Sequence, residues 1–210
     1  GCPVRKVVSR GSCSGLIRNP SLAREIILAT IEGAGNLPVS VKTRIGYKDI
    51  ITEQWIGFLL EQPIVALTIH GRTVKEMSKV PAHWDVLGKI RSLRDRLAPE
   101  TLLVGNGDVL HRQQGEALAK QYGLDGIMIG RGVFGDPFVF ARASPWSRYS
   151  KEQRIELYIE HVKLFVATWP HGERRIATLG KFCKLYINGF DGAKEMREQL
   201  MSARTTSELL

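Results

Sequence analysis

Gly105-Asn106-Gly107-Asp108 closes one short apolar run, Leu102-Leu103-Val104, and Gly130-Arg131-Gly132 closes another, Gly126-Ile127-Met128-Ile129, with 21 residues between the two motifs. A buried strand that stops at glycine exposes backbone N–H groups, and the next helix aims its positive end at the same point. Two such turns in succession make a phosphate cradle. Asn106 and Asp108 could hold the turn through their own backbone, or Asn106 could contact a cofactor while Asp108 steadies the loop. Gly130 and Arg131 supply amides and a cation for the phosphate.

Two further strand ends carry chemistry. In Val41-Lys42-Thr43-Arg44 a pair of cations closes a β-branched run. Lys42 there would be partly desolvated unless it faced an anion, and a lysine beside the N1/O2 edge of a flavin stabilises the charge gained on reduction. In Ile69-His70-Gly71-Arg72-Thr73 the apolar run ends at a histidine. Glycine then lets the backbone turn closely under a ligand, and Arg72 offers a guanidinium suited to phosphate. The competing readings are a solvated cation pair and a histidine satisfied by nearby backbone. Cys2, followed by Pro3 and the basic stretch Arg5-Lys6…Arg10, could act as nucleophile or proton donor, because nearby cations tune a thiol, or be inert. Cys13 and Cys183 read as structural.

These groups must be positioned by alternating elements. Four short runs, beginning near Val39, Val65, Leu102 and Gly126, alternate with helical patterns near 52–62, 83–97 and 112–122. A first helix is capped by Asn19 and started by Pro20, with Leu22, Ile26, Ile27 and Ile31 on its apolar face. Strand-helix repetition with short turns predicts a parallel sheet covered by helices. Lys42, His70, Asn106 and Gly130 recur at spacings of 28, 36 and 24 residues, each expected at the C-terminal end of its strand. Polar residues at several strand ends favour a (β/α)8 barrel over a doubly wound sheet, which concentrates its contacts at one switch point. Only four strands are visible, so the expectation is a partial TIM barrel, the second half of a longer protein.

Beyond the last strand the pattern becomes helical. Ser150-Lys151-Glu152-Gln153 reads as a capping box, opening an amphipathic helix to about Thr168, with others over about 174–188 and 192–203. The expected division is a barrel half over 1–144 and an all-helical domain over 145–210. The 210 residues carry 30 Lys+Arg against 21 Asp+Glu, a net charge of +9, which suggests a polyanionic partner. Basic surplus lies at both ends, with 8 basic and 3 acidic groups in residues 1–50 and 11 and 8 in residues 145–210. No apolar stretch approaches the roughly 20 residues needed to cross a bilayer. Three cysteines without CxxC spacing disfavour a disulfide framework or zinc site and point to a reducing cytoplasm.

The ordered set Gly-Cys-Pro-Val-Arg-Lys-Val, Val-Lys-Thr-Arg-Ile-Gly, Thr-Ile-His-Gly-Arg-Thr, Gly-Asn-Gly-Asp-Val and Met-Ile-Gly-Arg-Gly resembles the tRNA-dihydrouridine synthase family. The similarity spans about residues 1–140, and 176–210 resembles the family's C-terminal helical domain more loosely. The resemblance implies an FMN-bound barrel that reduces the C5–C6 double bond of selected uridines in tRNA, with NADPH as electron donor. It makes Cys2 the general acid that protonates C5 while reduced flavin delivers hydride to C6. Lys42 and His70 would contact the FMN ring or ribityl region, with Arg72 nearby. Asn106, Asp108, Gly130 and Arg131 would hold the ribityl-phosphate end, and Arg174, Arg175, Lys181 and Lys184 would grip tRNA.

There are departures from the family pattern. The family's upstream strands, and the asparagine that precedes its Gly-Cys-Pro, are not in this sequence, so an unpaired strand edge is expected. Met77-Ser78-Lys79-Val80-Pro81 stands where the family usually has an aromatic-glycine stretch. Two alternatives remain: a flavin barrel reductase acting on a small ene substrate, and a fragment that binds RNA without turnover.

Overall fold

A computed structural model describes residues 1–180 and 182–209. The chain forms two compact units, Gly1–Gly130 and Arg131–Leu210.

The first unit is built on four parallel strands in sequential order, β1 (Ser40–Arg44), β2 (Ala66–His70), β3 (Leu102–Asn106) and β4 (Gly126–Met128). An order with no reversal lacks the switch point of a doubly wound sheet and is consistent with part of an α/β barrel. Before β1 lie a short helix α1 (Arg5–Val8), a 3-10 segment over Cys13–Arg18 and α2 (Pro20–Ala34). A π-helical turn over Thr52–Ile56 runs into α3 (Gly57–Leu60), followed by α4 (Trp84–Leu97) and α5 (Arg112–Tyr122). Asn19 Oδ1 caps α2 by accepting from the Leu22 amide at 3.2 Å, and Pro20 fits the first turn because its missing N–H would be unpaired there.

Side chains alternate across a strand, and the register sorts them into two faces. Val41, Thr43, Leu67, Ile69, Leu103, Gly105 and Ile127 share one face. Most of these join Ile27, Ile56, Leu59, Leu87, Ile90 and Leu93 in a single apolar core beneath the helices. Lys42, Arg44, Thr68, His70, Val104 and Asn106 share the other face, which contributes nothing to that core. The sheet therefore separates packing from polarity.

Two details differ from the sequence expectation. β1 runs on to Arg44, which pairs with His70, so Lys42 lies inside the strand opposite Thr68 rather than at its end. The extension holds because Thr43 is buried, its hydroxyl accepting from Trp55 Nε1 at 2.8 Å. On α2 the buried stripe is Ala23 and Ile27, with Ile31 partly buried, while Leu22 and Ile26 are exposed. The helix rests on the core through its 23/27/31 row, which turns residues 22 and 26 to the flank.

The second unit contains α6 (Lys151–Thr168), α7 (Ala177–Gly180), α8 (Cys183–Tyr186) and α9 (Ala193–Ser202). Ser150 and Gln153 form the expected capping box. The helix expected over 174–188 is instead two short helices. Buried Leu179, Cys183, Leu185, Tyr186 and Ile187 occur too densely to leave a polar face, and with Tyr158 and Val162 they form the unit's core. The boundary falls at 130 rather than 144 because the intervening segment packs with this core, Phe134 stacking on Phe182 and Phe138 meeting Trp146 and Tyr149.

Gly107 has φ 133, and a β-carbon there would lie 2.7 Å from Ala82 Cβ. Gly107→Ala should destabilise the protein by roughly 2–3 kcal/mol, from backbone strain and overpacking together. Urea denaturation would check this, and a change below about 0.5 kcal/mol, the range of ordinary surface substitutions, would refute the account.

Candidate active site

The polar face gathers at the C-terminal strand ends, where Arg44, His70 and Asn106 stand in register on neighbouring strands. Lys42 Nζ donates to Asn106 Oδ1 at 3.0 Å, and Asn106 Nδ2 donates to the Met128 carbonyl at 2.8 Å. One asparagine thus links β1, β3 and β4. Its amide orientation is fixed, because the lysine needs an acceptor and the carbonyl needs a donor.

Arg72 is buried. Its Nη2 pairs with Asp108 Oδ2, its Nε donates to the Val80 carbonyl at 2.6 Å, and its Nη1 lies 3.1 Å from His70 Nε2. Each nitrogen of the guanidinium has a partner within the chain, so Arg72 braces the loop after β2 against Asp108. Asp108 Oδ2 also accepts from the Ala82 amide at 3.0 Å. That carboxylate, partly exposed, steadies the loop. The left-handed backbone of Asp108, φ 54, follows Gly107 and turns the side chain inward.

This geometry fixes the state of His70. A guanidinium has donors only, so Nε2 must accept and the ring proton must sit on Nδ1. Burial pushes the His70 pKa down to about 3, reinforced by the charges of Arg44, Lys42 and Arg72 and opposed by Asp108. His70 is therefore a neutral Nδ1–H donor. Lys42 is exposed by area, yet partial desolvation of its ammonium and then Arg44 lower its pKa too.

Arg44 was noted in the sequence only as a second cation. Buried, it donates to three carbonyls: Gly1 at 3.1 Å, Thr73 at 3.0 Å and Met77 at 2.9 Å. It ties the Cys2 loop to the loop after β2. Ser14 Oγ holds the same loop by donating to the Cys2 carbonyl at 2.5 Å. Cys2 itself is an exposed free thiol. Cys13 is exposed as well, with φ 52, contrary to a structural role, while Cys183 is buried and its Sγ donates to the Gly180 carbonyl at 3.1 Å.

Sequence reasoning missed Glu76, His83 and Trp84. Glu76 accepts from the Thr73 amide at 2.7 Å and lies 2.8 Å from His83 Nε2, and those hydrogen bonds hold its pKa low against the opposing effect of burial. Trp84 Nε1 donates to the Gly107 carbonyl at 3.2 Å. His-Trp at a helix start was the one visible signal.

Gly130 ends the first unit and Arg131 opens the second. A β-carbon at Gly130 would meet nothing within 4 Å. In the second unit Arg174, Arg175 and Lys184 are exposed, with the Arg174 guanidinium 5.1 Å from the Trp169 ring centroid. Lys181 lies outside the described residues.

A family model described as dihydrouridine synthase matches residues 1–210. The chain belongs to the dihydrouridine synthase family. It is 47% identical over 209 residues to the probable tRNA-dihydrouridine synthase of Staphylococcus aureus, covering 99% of this chain and 62% of that protein. It is 46% identical over 210 residues to probable tRNA-dihydrouridine synthase 2 of Bacillus subtilis, covering 100% and 63%. The chain thus spans under two thirds of the length of these relatives. Among the described residues no helix is long and apolar enough to cross a membrane.

Nitrogen-15 NMR of histidine-labelled protein should show His70 with a protonated Nδ1 and an unprotonated Nε2 at pH 7. A protonated Nε2 would overturn the Arg72 contact. Because unfolded histidine titrates near 6.5 and folded His70 near 3, the folded state binds fewer protons between those values. Stability should therefore fall as pH drops from about 6.5 towards 3. His70→Gln should flatten that slope in urea titrations, and an unchanged slope would show that His70 does not titrate as described.

Proposed function

We propose that this chain is the part of a tRNA-dihydrouridine synthase that presents the flavin-facing strand ends and the proton donor. The observation that carries the reading is the donor set on the polar sheet face, Lys42 and His70 beside Asn106, in a member of this family. The substrate is a uridine in tRNA and the electron donor NADPH.

The residues fit an FMN ring edge. Lys42 has three N–H donors and spends one on Asn106, and His70 offers Nδ1–H. Both suit carbonyl and anionic acceptors. FMN, when bound, supplies the electron pair that reduces the C5–C6 bond of uracil. Lys42 stabilises developing negative charge on the acceptor edge. Its lowered pKa, from desolvation and Arg44, is relieved by an anion. Asn106 orients Lys42, and Asp108 acts through Arg72 by holding the loop. The open backbone at Gly130 accepts the phosphate, and Arg131 is proposed as its cation on the sequence motif alone. Arg174, Arg175, Lys181 and Lys184 are proposed for tRNA on their charge.

Cys2 holds a proton at Sγ for C5. Its loop is fixed at both carbonyls, Gly1 by Arg44 and Cys2 by Ser14, so the thiol is carried on a braced backbone. Solvent returns the proton after each turnover. The target base must leave its stack to meet the thiol. The helical unit then serves as the tRNA-binding domain, and the cytoplasm is the expected compartment.

The test is dihydrouridine formation in unmodified tRNA, followed by mass spectrometry, with flavin reoxidation followed by absorbance. tRNA should accelerate reoxidation. Cys2→Ala should lower dihydrouridine formation by about 10²–10⁴-fold while leaving flavin reduction by NADPH intact. Wild-type protein that reoxidises equally fast without tRNA would sink the reading and favour a small ene substrate.

A further inference from the structure

Beside the Cys2 loop runs a groove of about 520 Å³ whose lining includes Arg5, Arg18, Lys75 and Tyr47, and no acidic residue. The three cations come from different elements: Arg5 from α1, Arg18 from the 3-10 segment before α2, and Lys75 from the loop after β2. All three are exposed, and among the described residues none forms an ion pair. Glu76 follows Lys75 in the chain, but its carboxylate is turned onto the Thr73 amide and His83. The Arg18 guanidinium carbon lies 4.4 Å from the Tyr47 ring centroid, which holds the cation over an aromatic face.

The walls are tied together. Val74 donates to the Gly46 carbonyl and Lys75 to the Tyr47 carbonyl, both at 3.0 Å. Arg44 joins Gly1 to Met77, and Met77 lines the groove, as does Pro3, the residue after Cys2. Like charges set around a braced, acid-free groove repel one another, and a polyanion relieves that repulsion.

Resting on the function proposed above, we infer that this groove carries the backbone phosphates of the tRNA strand flanking the base presented to Cys2. Long, exposed cations along an open groove suit a tracked backbone. A single dinucleotide phosphate would be expected to meet a nest of backbone amides instead, and the lining here comes from four separated segments.

The experiment measures affinity for unmodified tRNA across a potassium chloride series, by fluorescence anisotropy. The variants are wild type, R5Q/R18Q/K75Q, the control K89Q/K120Q with both changes on exposed outer helix positions, and Arg18→Lys. Three lost phosphate contacts at about 0.7 each should make the log–log salt slope shallower by about two and lower affinity at low salt at least tenfold. The control and the charge-keeping Arg18→Lys should retain the wild-type slope. Circular dichroism would establish that the triple variant is folded. An unchanged slope in the folded triple variant would overturn the groove assignment while leaving the proposed function intact, since wild type would still bind and reduce tRNA. Lost NADPH affinity with normal tRNA binding would give the groove to the dinucleotide and also overturn the assignment. Absent tRNA binding by wild type would remove the proposed function and this inference with it.

Discussion

The Arg72 guanidinium is the contact on which the strand-end architecture depends. It leaves β2 and reaches Asp108 after β3, the Val80 carbonyl in its own loop and the His70 ring. A buried guanidinium lacking such partners would cost several kcal/mol, so the surroundings are built to satisfy it. Gly107 and Asp108 adopt positive φ so that a carboxylate points inward. The same carboxylate holds the Ala82 amide, which fixes the approach to α4. Asp108 is partly exposed, which makes the pair a weaker attraction than a fully buried one. Its importance is geometric: it determines where His70 and the loop ahead of α4 can lie.

Charge follows from the same arrangement. Lys42, Arg44 and Arg72 all act on His70, against one named carboxylate, Asp108. Arg44 is satisfied by carbonyls, which supply hydrogen bonds but no countercharge. Its pKa is lowered by desolvation and by Arg72. Arg44 and Arg72 are buried, so solvent screens their charges less than it would at the surface. An imidazole there stays neutral, and the region as a whole favours an anion.

Much of this was legible in the sequence and some was not. Helix starts were readable because Asn19-Pro20 and Ser150…Gln153 are local capping signals, satisfied by residues within four positions. The four strands were readable as apolar runs, and the polar residues at their ends share one sheet face. The burial of Arg44 was invisible, since its partners Thr73 and Met77 are about thirty residues away and contribute backbone oxygen only. That chemistry places little demand on the side chains of the Met77–Pro81 stretch. Its Met77 and Val80 carbonyls take the hydrogen bonds, and any residue supplies a carbonyl. The bracing contacts of Arg72 were hidden for the converse reason: a guanidinium after a strand-end glycine gives no local sign of a carboxylate 36 residues away.

The polarity of the site can be followed to its end. The Met128 carbonyl demands a donor, so Asn106 turns Nδ2 towards β4 and Oδ1 towards Lys42. Lys42 is thereby held by one N–H, and its remaining two are donors. Arg72 demands an acceptor of His70, so the free edge of the imidazole is a donor as well. Two independent chains of hydrogen bonds, one starting at a strand carbonyl and one at a buried guanidinium, thus terminate in N–H groups on the same sheet face. A ligand edge rich in donors would leave these groups unpaired at a cost of about 1–3 kcal/mol each. The face therefore matches ligand groups that accept hydrogen bonds.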